Sequence, residues 1–138
     1  MSHIAFIGTG LLGSAFAEAA ARRGDQVTAW NRSPEKAAAL AELGVRALPT
    51  PGEAVRDARR IHLVLKDDAV VEEVVASFRA NVSPDAVIID HTTTLPTLTA
   101  ERSTRFNGEG LHYLHCPVFM GPPAARNSGS SVNPPVRT

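Results

Sequence analysis

His3-Ile4-Ala5-Phe6-Ile7-Gly8-Thr9-Gly10-Leu11-Leu12-Gly13 lies near the amino end of the chain, and its reading decides the rest. Five residues of strand character run into glycines at positions 8, 10 and 13. A helical pattern follows, with apolar residues at Leu12, Ala15, Phe16, Ala19 and Ala20. That i, i+3, i+4, i+7, i+8 spacing marks one buried helix face. A G-x-G-x-x-G run is a weak signal alone, because small residues gather in many turns. Between a first strand and a first helix it acquires a physical role. The first glycine permits the tight turn, the second lets backbone approach a pyrophosphate, and the third lets helix and strand pack closely. Free N–H groups and partial positive charge at the helix N-terminus then hold the phosphates. Gly8, Gly10, Leu11, Leu12 and Gly13 are therefore candidate cofactor-binding positions.

Outward from this turn, short aliphatic runs alternate with amphipathic stretches. Strands are predicted at residues 26–30, 45–48, 61–65, 86–90 and 111–115. Between them, a helix opens at Ser33-Pro34 and ends at Gly44, and a brief one spans residues 51–58. A third puts Val70, Val71, Val74, Val75 and Phe78 on one side, and a weaker one runs from Pro96 to about Arg105. This alternation predicts an α/β fold: a Rossmann-type, doubly wound, mainly parallel sheet with helices on both faces. Residues 1–126 read as one domain, and residues 127–138, rich in Gly, Ser, Asn and Pro, as a mobile tail.

The chain has 138 residues, 14 Lys plus Arg and 14 Asp plus Glu. That size fits one domain. Zero net charge removes the electrostatic reason to expect nucleic-acid binding, which rests on surplus cations displacing counterions from phosphates. Any anion must be held locally. Apolar runs of only a few residues give no reason to expect a membrane span. No leader is expected ahead of the first strand. A single cysteine, Cys116, excludes an intrachain disulfide and a multi-thiolate zinc site. The expectation is a soluble, cytoplasmic protein. His112 and His115, three apart on a strand, point to opposite faces and cannot share a metal, and Asp90 with His91 is too few ligands for one.

The residue after the second strand selects the dinucleotide. An Asp or Glu there would bind the adenosine ribose hydroxyls of NAD. Here stand Asn31, Arg32 and Ser33. Asn does not repel a 2′-phosphate, and the Arg guanidinium can meet one with charge-assisted bonds. NADP is the expected cofactor, ahead of NAD. The missing acidic residue also argues against methyltransferases. Tyr113 has Pro117, not Lys, four positions on, which excludes the short-chain dehydrogenase pair. No G-x-S-x-G elbow marks a serine hydrolase.

Ligands of open α/β sheets bind beyond the carboxyl ends of the strands. There the sequence reads Leu65-Lys66-Asp67-Asp68, Asp90-His91-Thr92-Thr93-Thr94-Leu95-Pro96, and His115-Cys116-Pro117-Val118-Phe119-Met120-Gly121. With the glycine turn, this ordered set resembles the β-hydroxyacid dehydrogenase family, which takes in 3-hydroxyisobutyrate dehydrogenase and 6-phosphogluconate dehydrogenase. Asp90, Thr92, Thr93 and Pro96 match the family's Asp-x-Ser/Thr-Thr-x-x-Pro segment. The last segment keeps only Pro117-Val118 of the family's pattern, with Phe119-Met120-Gly121 where Ser-Gly-Gly would help hold a substrate carboxylate. A larger, more apolar pocket is expected.

The resemblance implies hydride transfer between a nicotinamide cofactor and a small hydroxy acid, aldehyde or imine. It implies cofactor contacts at Leu65, Lys66 and Thr93, and substrate contacts at Thr92, Thr93 and Gly121. Thr92 to Thr94 could instead supply turns and the N-cap of the helix begun at Pro96. In the family a lysine from a following all-helical domain transfers the hydroxyl proton, and dimers form through that domain. Lys36 and Lys66 are the only lysines here, and neither occupies that position. The expectation is a cofactor half that stops before the catalytic lysine, with no catalytic residue of its own. A free-standing dinucleotide-binding module without catalysis is the alternative.

Overall fold

The computed structural model describes residues 3–8 and 11–116. The elements follow in the order β1 (His3–Ile7), α1 (Leu11–Arg22), β2 (Gln26–Trp30), α2 (Pro34–Ala38), β3 (Val45–Ala47) and α3 (Pro51–Val55). Then come β4 (Arg60–Leu63), α4 (Asp68–Phe78), β5 (Val87–Asp90), α5 (Pro96–Gly108) and β6 (His112–His115). All six strands pair in parallel in the order β3-β2-β1-β4-β5-β6. This is the doubly wound order expected from the alternation, and its direction reverses between β1 and β4.

Parallel strands need cover on both faces. Toward one side Ala5, Ile7, Ile61, Leu63, Ile88 and Tyr113 pack with Val55 of α3, Val71, Val75 and Phe78 of α4, and Phe106 of α5. Toward the other, Ile4, Phe6, Val27 and Ala29 meet Ala17 and Ala20 of α1, with Leu40 and Val45. The valine stripe on α4 is core as its spacing implies, with Val71, Val74 and Val75 buried. Arg22 and Gly24 close α1 as expected, the Gly24 N–H bonding back to the Ala21 carbonyl at 3.0 Å.

Several boundaries differ from expectation. The helix opened by Pro34 becomes a 3₁₀ turn at Ala39–Leu43 before Gly44 ends it. β3 stops at Ala47, one residue short of the expected 48, in parallel register with β2, which supplies its hydrogen bonds. β4 starts at Arg60 and stops at Leu63, since Val64 and Leu65 turn into the following loop. α3 stops at Val55, short of residue 58, and α5 runs on to Gly108. Gly10, Gly121 and the segment 127–138 lie outside the described residues.

Candidate cofactor site

The carboxyl ends of the strands are knitted into one rim. The Gly8 N–H donates to the Trp30 carbonyl at 2.8 Å, Val64 N–H to Ile7, His91 N–H to Leu63, and Cys116 N–H to Asp90. At the reversal point the chain comes close to itself. Gly8 has φ of +93°, and a Cβ built there would fall 2.1 Å from the Val64 carbonyl oxygen and 3.0 Å from Leu65 Cδ2. Only glycine satisfies both the backbone angle and the approach. Gly8 directly follows β1, and α1 begins at Leu11, so both described ends of the glycine turn stand at the reversal point. Gly13 falls within the first turns of α1.

Asn31, Arg32 and Ser33 follow β2 at the same rim. The Asn31 side-chain amide donates to the Ser33 carbonyl at 3.1 Å, shaping the bend. Arg32 extends outward, with its side chain 62% exposed, and meets Glu73 of α4 at 3.3 Å. An exposed pair of this kind contributes at most about 1 kcal/mol, so the guanidinium can exchange it for a phosphate.

Beyond β4 and β5 the predicted residues separate into two roles. Lys66 and Thr93 are exposed. Leu65 and Thr92 are tied down: the Thr92 hydroxyl, on a residue 1% exposed, accepts from the Leu65 N–H at 3.0 Å. The Thr92 N–H in turn donates to Asp90 Oδ1 at 2.9 Å. None of the threonines caps α5. Its N-cap is Leu95, without a side-chain bond. Thr94 instead bonds Thr99 and lies 3.3 Å from His115 Nε2, which also donates to the Thr92 carbonyl at 2.9 Å.

Two features were not foreseen from the sequence. One is a buried polar chain: Tyr113 donates to Asp90 Oδ2, Arg102 Nε donates to the Tyr113 hydroxyl at 3.1 Å, and Arg102 Nη1 to Asp68 Oδ1 at 2.8 Å. Burial and the facing Asp90 carboxylate push the Tyr113 hydroxyl well above its ordinary value, so it stays a donor. Burial raises the Asp68 carboxyl, but the Leu95 N–H and the Arg102 guanidinium outweigh that and hold it low. The available signal was Arg102 itself, which shares the buried face of α5 with Thr99 and Phe106.

The second feature is a histidine pair. His62 stacks on Phe6 with ring centroids 4.9 Å apart and lies edge to edge with His91, nearly coplanar, with centroids 5.1 Å apart. His91 Nδ1 lies 2.8 Å from the Cys116 carbonyl, which can only accept, so Nδ1 carries the proton. His91 Nε2 is then the acceptor for His62 Nδ1–H at 2.8 Å. Burial, with the neighbouring His91, Arg60 and Arg23, lowers His62 to about 3. Burial also lowers His91, against the Cys116 bond and the Asp90 charge.

A parallel sheet of this order, with a close-approach glycine after β1 at its reversal point, defines a dinucleotide-binding Rossmann domain. Comparison with known proteins agrees. The chain belongs to the family of the NAD binding domain of 6-phosphogluconate dehydrogenase, matched over residues 3–133. It is an NAD(P)-binding domain.

An uncharacterized oxidoreductase of Synechocystis is 29% identical over 96% of this chain and 47% of its own length. The NADPH-dependent reductive aminase of Aspergillus oryzae is 27% identical over 89% of this chain and 43% of its own length. Among solved structures, Mycobacterium tuberculosis 3-hydroxyisobutyrate dehydrogenase with L-serine superposes with a TM-score of 0.86 at 27% identity. That match covers 91% of this chain and 43% of the other. The chain thus spans under half the length of these relatives. Among the described residues, no helix is long and apolar enough to cross a membrane.

Proposed function

We propose that this domain binds NADP(H) in preference to NAD(H), within an oxidoreductase that moves hydride between the nicotinamide and a small hydroxy acid, aldehyde or imine. The observation that carries the cofactor preference is Arg32, exposed beside a neutral Asn31 at the end of β2 and paired at the surface with Glu73. Similarity to an NADPH-dependent reductive aminase supports the same reading. In this reading the glycine turn and the N-terminus of α1 hold the pyrophosphate, and Leu65, Lys66 and Thr93 border the nicotinamide half. Thr93 is the exposed candidate for the substrate side, with the buried Thr92 setting its position. The bound cofactor supplies the hydride; the residues of this chain bind and orient it. A cytoplasmic setting belongs to the proposal, supported by the single, buried cysteine at position 116.

Titration of the chain with NADPH and NADH tests the preference. Replacing Arg32 with Ala should weaken NADPH binding by about 10- to 100-fold, the value of a charge-assisted bond to phosphate. NADH binding should stay within about twofold. Equal losses for both dinucleotides would sink the assignment.

A further inference from the structure

The buried polar chain closes on itself, and the exposed cofactor-site candidates sit between its ties. From the loop after β4, Leu65 N–H reaches Thr92, Thr92 N–H reaches Asp90, and Asp90 meets Tyr113. Tyr113 meets Arg102, and Arg102 returns to Asp68, at the far end of the loop where the circuit began. Asp68 Oδ2 also accepts the Leu95 N–H at 3.1 Å, a second tie between the two loops. Lys66 lies between the anchored Leu65 and Asp68. Thr93 lies between the anchored Thr92 and Leu95.

We propose that Arg102 and Asp68 are positioning residues. Their ion pair holds the loops after β4 and β5 in one mutual register and thereby sets how Lys66 and Thr93 meet the nicotinamide half of the cofactor. This rests on the cofactor reading above. Arg102 is 1% exposed, so its effect passes through the loops. The two halves of a dinucleotide lie on opposite sides of the reversal point, the adenosine half toward β2 and β3 and the nicotinamide half toward β4 and β5. A fault in this circuit therefore acts on one half only. The pair also uses geometry that a lysine cannot supply: Nε and Nη1 of one planar group address Tyr113 and Asp68 together.

The test compares NADPH with 2′,5′-ADP, the adenosine-side fragment that does not extend to the loops after β4 and β5. Asp68→Asn removes the charge while leaving the helix cap at Asp67, which accepts the Val70 N–H, in place. It should weaken NADPH about tenfold and leave 2′,5′-ADP within about twofold, as expected for one charged hydrogen bond lost from loop positioning. Arg102→Lys, which keeps the charge and can address one partner, should lower the same ratio in the same direction. Melting curves on each variant establish that the comparison is made on folded protein. Wild-type chain that binds both ligands, with the variants losing both equally or neither, would overturn the positioning role alone. Wild-type chain that binds neither ligand would overturn the cofactor reading and this proposal with it.

Discussion

Gly8→Ala is expected to cost about 4 kcal/mol of stability and to abolish dinucleotide binding. Two costs act together. A side chain at φ of +93° is strained by about 1–3 kcal/mol. The added Cβ would also lie 2.1 Å from a backbone carbonyl oxygen, which cannot rotate away as a side chain could. Relief requires β1 and β4 to separate at the reversal point, where the core is close-packed, and overpacking of that kind adds about 1–3 kcal/mol. Gly24 provides the control. Its φ is +87°, but nothing lies within 4 Å of its would-be Cβ. Gly24→Ala should therefore show the conformational cost alone, at about 1–2 kcal/mol. Urea midpoints for the two variants decide the matter, and equal losses would refute the close-approach account.

Acidification should destabilise the domain well before its carboxylates protonate. The native His62 titrates near 3, because burial and the surrounding His91, Arg60 and Arg23 oppose its charge. Unfolded histidine titrates at about 6.5. Below that value the unfolded chain takes up a proton that the native state refuses. Stability is therefore complete above about pH 6.5 and declines as pH falls toward 3, by about 1.4 kcal/mol per pH unit for one proton.

Between pH 7.5 and 5.0, His62 alone accounts for about 2 kcal/mol, and His91, shifted the same way, adds to it. One proton already fills the space between His62 Nδ1 and His91 Nε2, so a second has no place there. His62→Phe keeps a ring against Phe6 and removes one titrating group. The fall in stability across that interval, followed by chemical denaturation at each pH, should shrink by about 2 kcal/mol in the variant. An unchanged slope would show that other groups carry the proton uptake.

The fold was legible because each step depended on neighbours in sequence. Alternating aliphatic runs and 3.6-residue stripes are local patterns, and a glycine turn between the first strand and first helix fixes their order. Parallel pairing followed, whereas the strand order and the place of its reversal came from the structure. The cofactor rim was half legible. Gly8, Arg32 and the exposed Lys66 and Thr93 stand where strand ends place them. Thr92 and Leu65 have side chain or backbone committed to each other, a fact no spacing rule contains. α5 shows the same limit. Three threonines before Pro96 suggested a cap, but Thr94 found better partners in Thr99 and His115, which the fold brings from beyond the loop.

The sequence by itself determined the class of fold, the glycine turn and the neutral-plus-cationic pair after β2, since each of these rests on backbone freedom, periodicity or charge within a few residues. Only the tertiary structure decided that His62 and His91, 29 positions apart, are joined by a hydrogen bond, and that Arg102 reaches Asp68 across 34 positions. A buried polar side chain takes its meaning from the partner that replaces water. That partner is chosen by strand register and helix packing, which no local stretch of chain encodes.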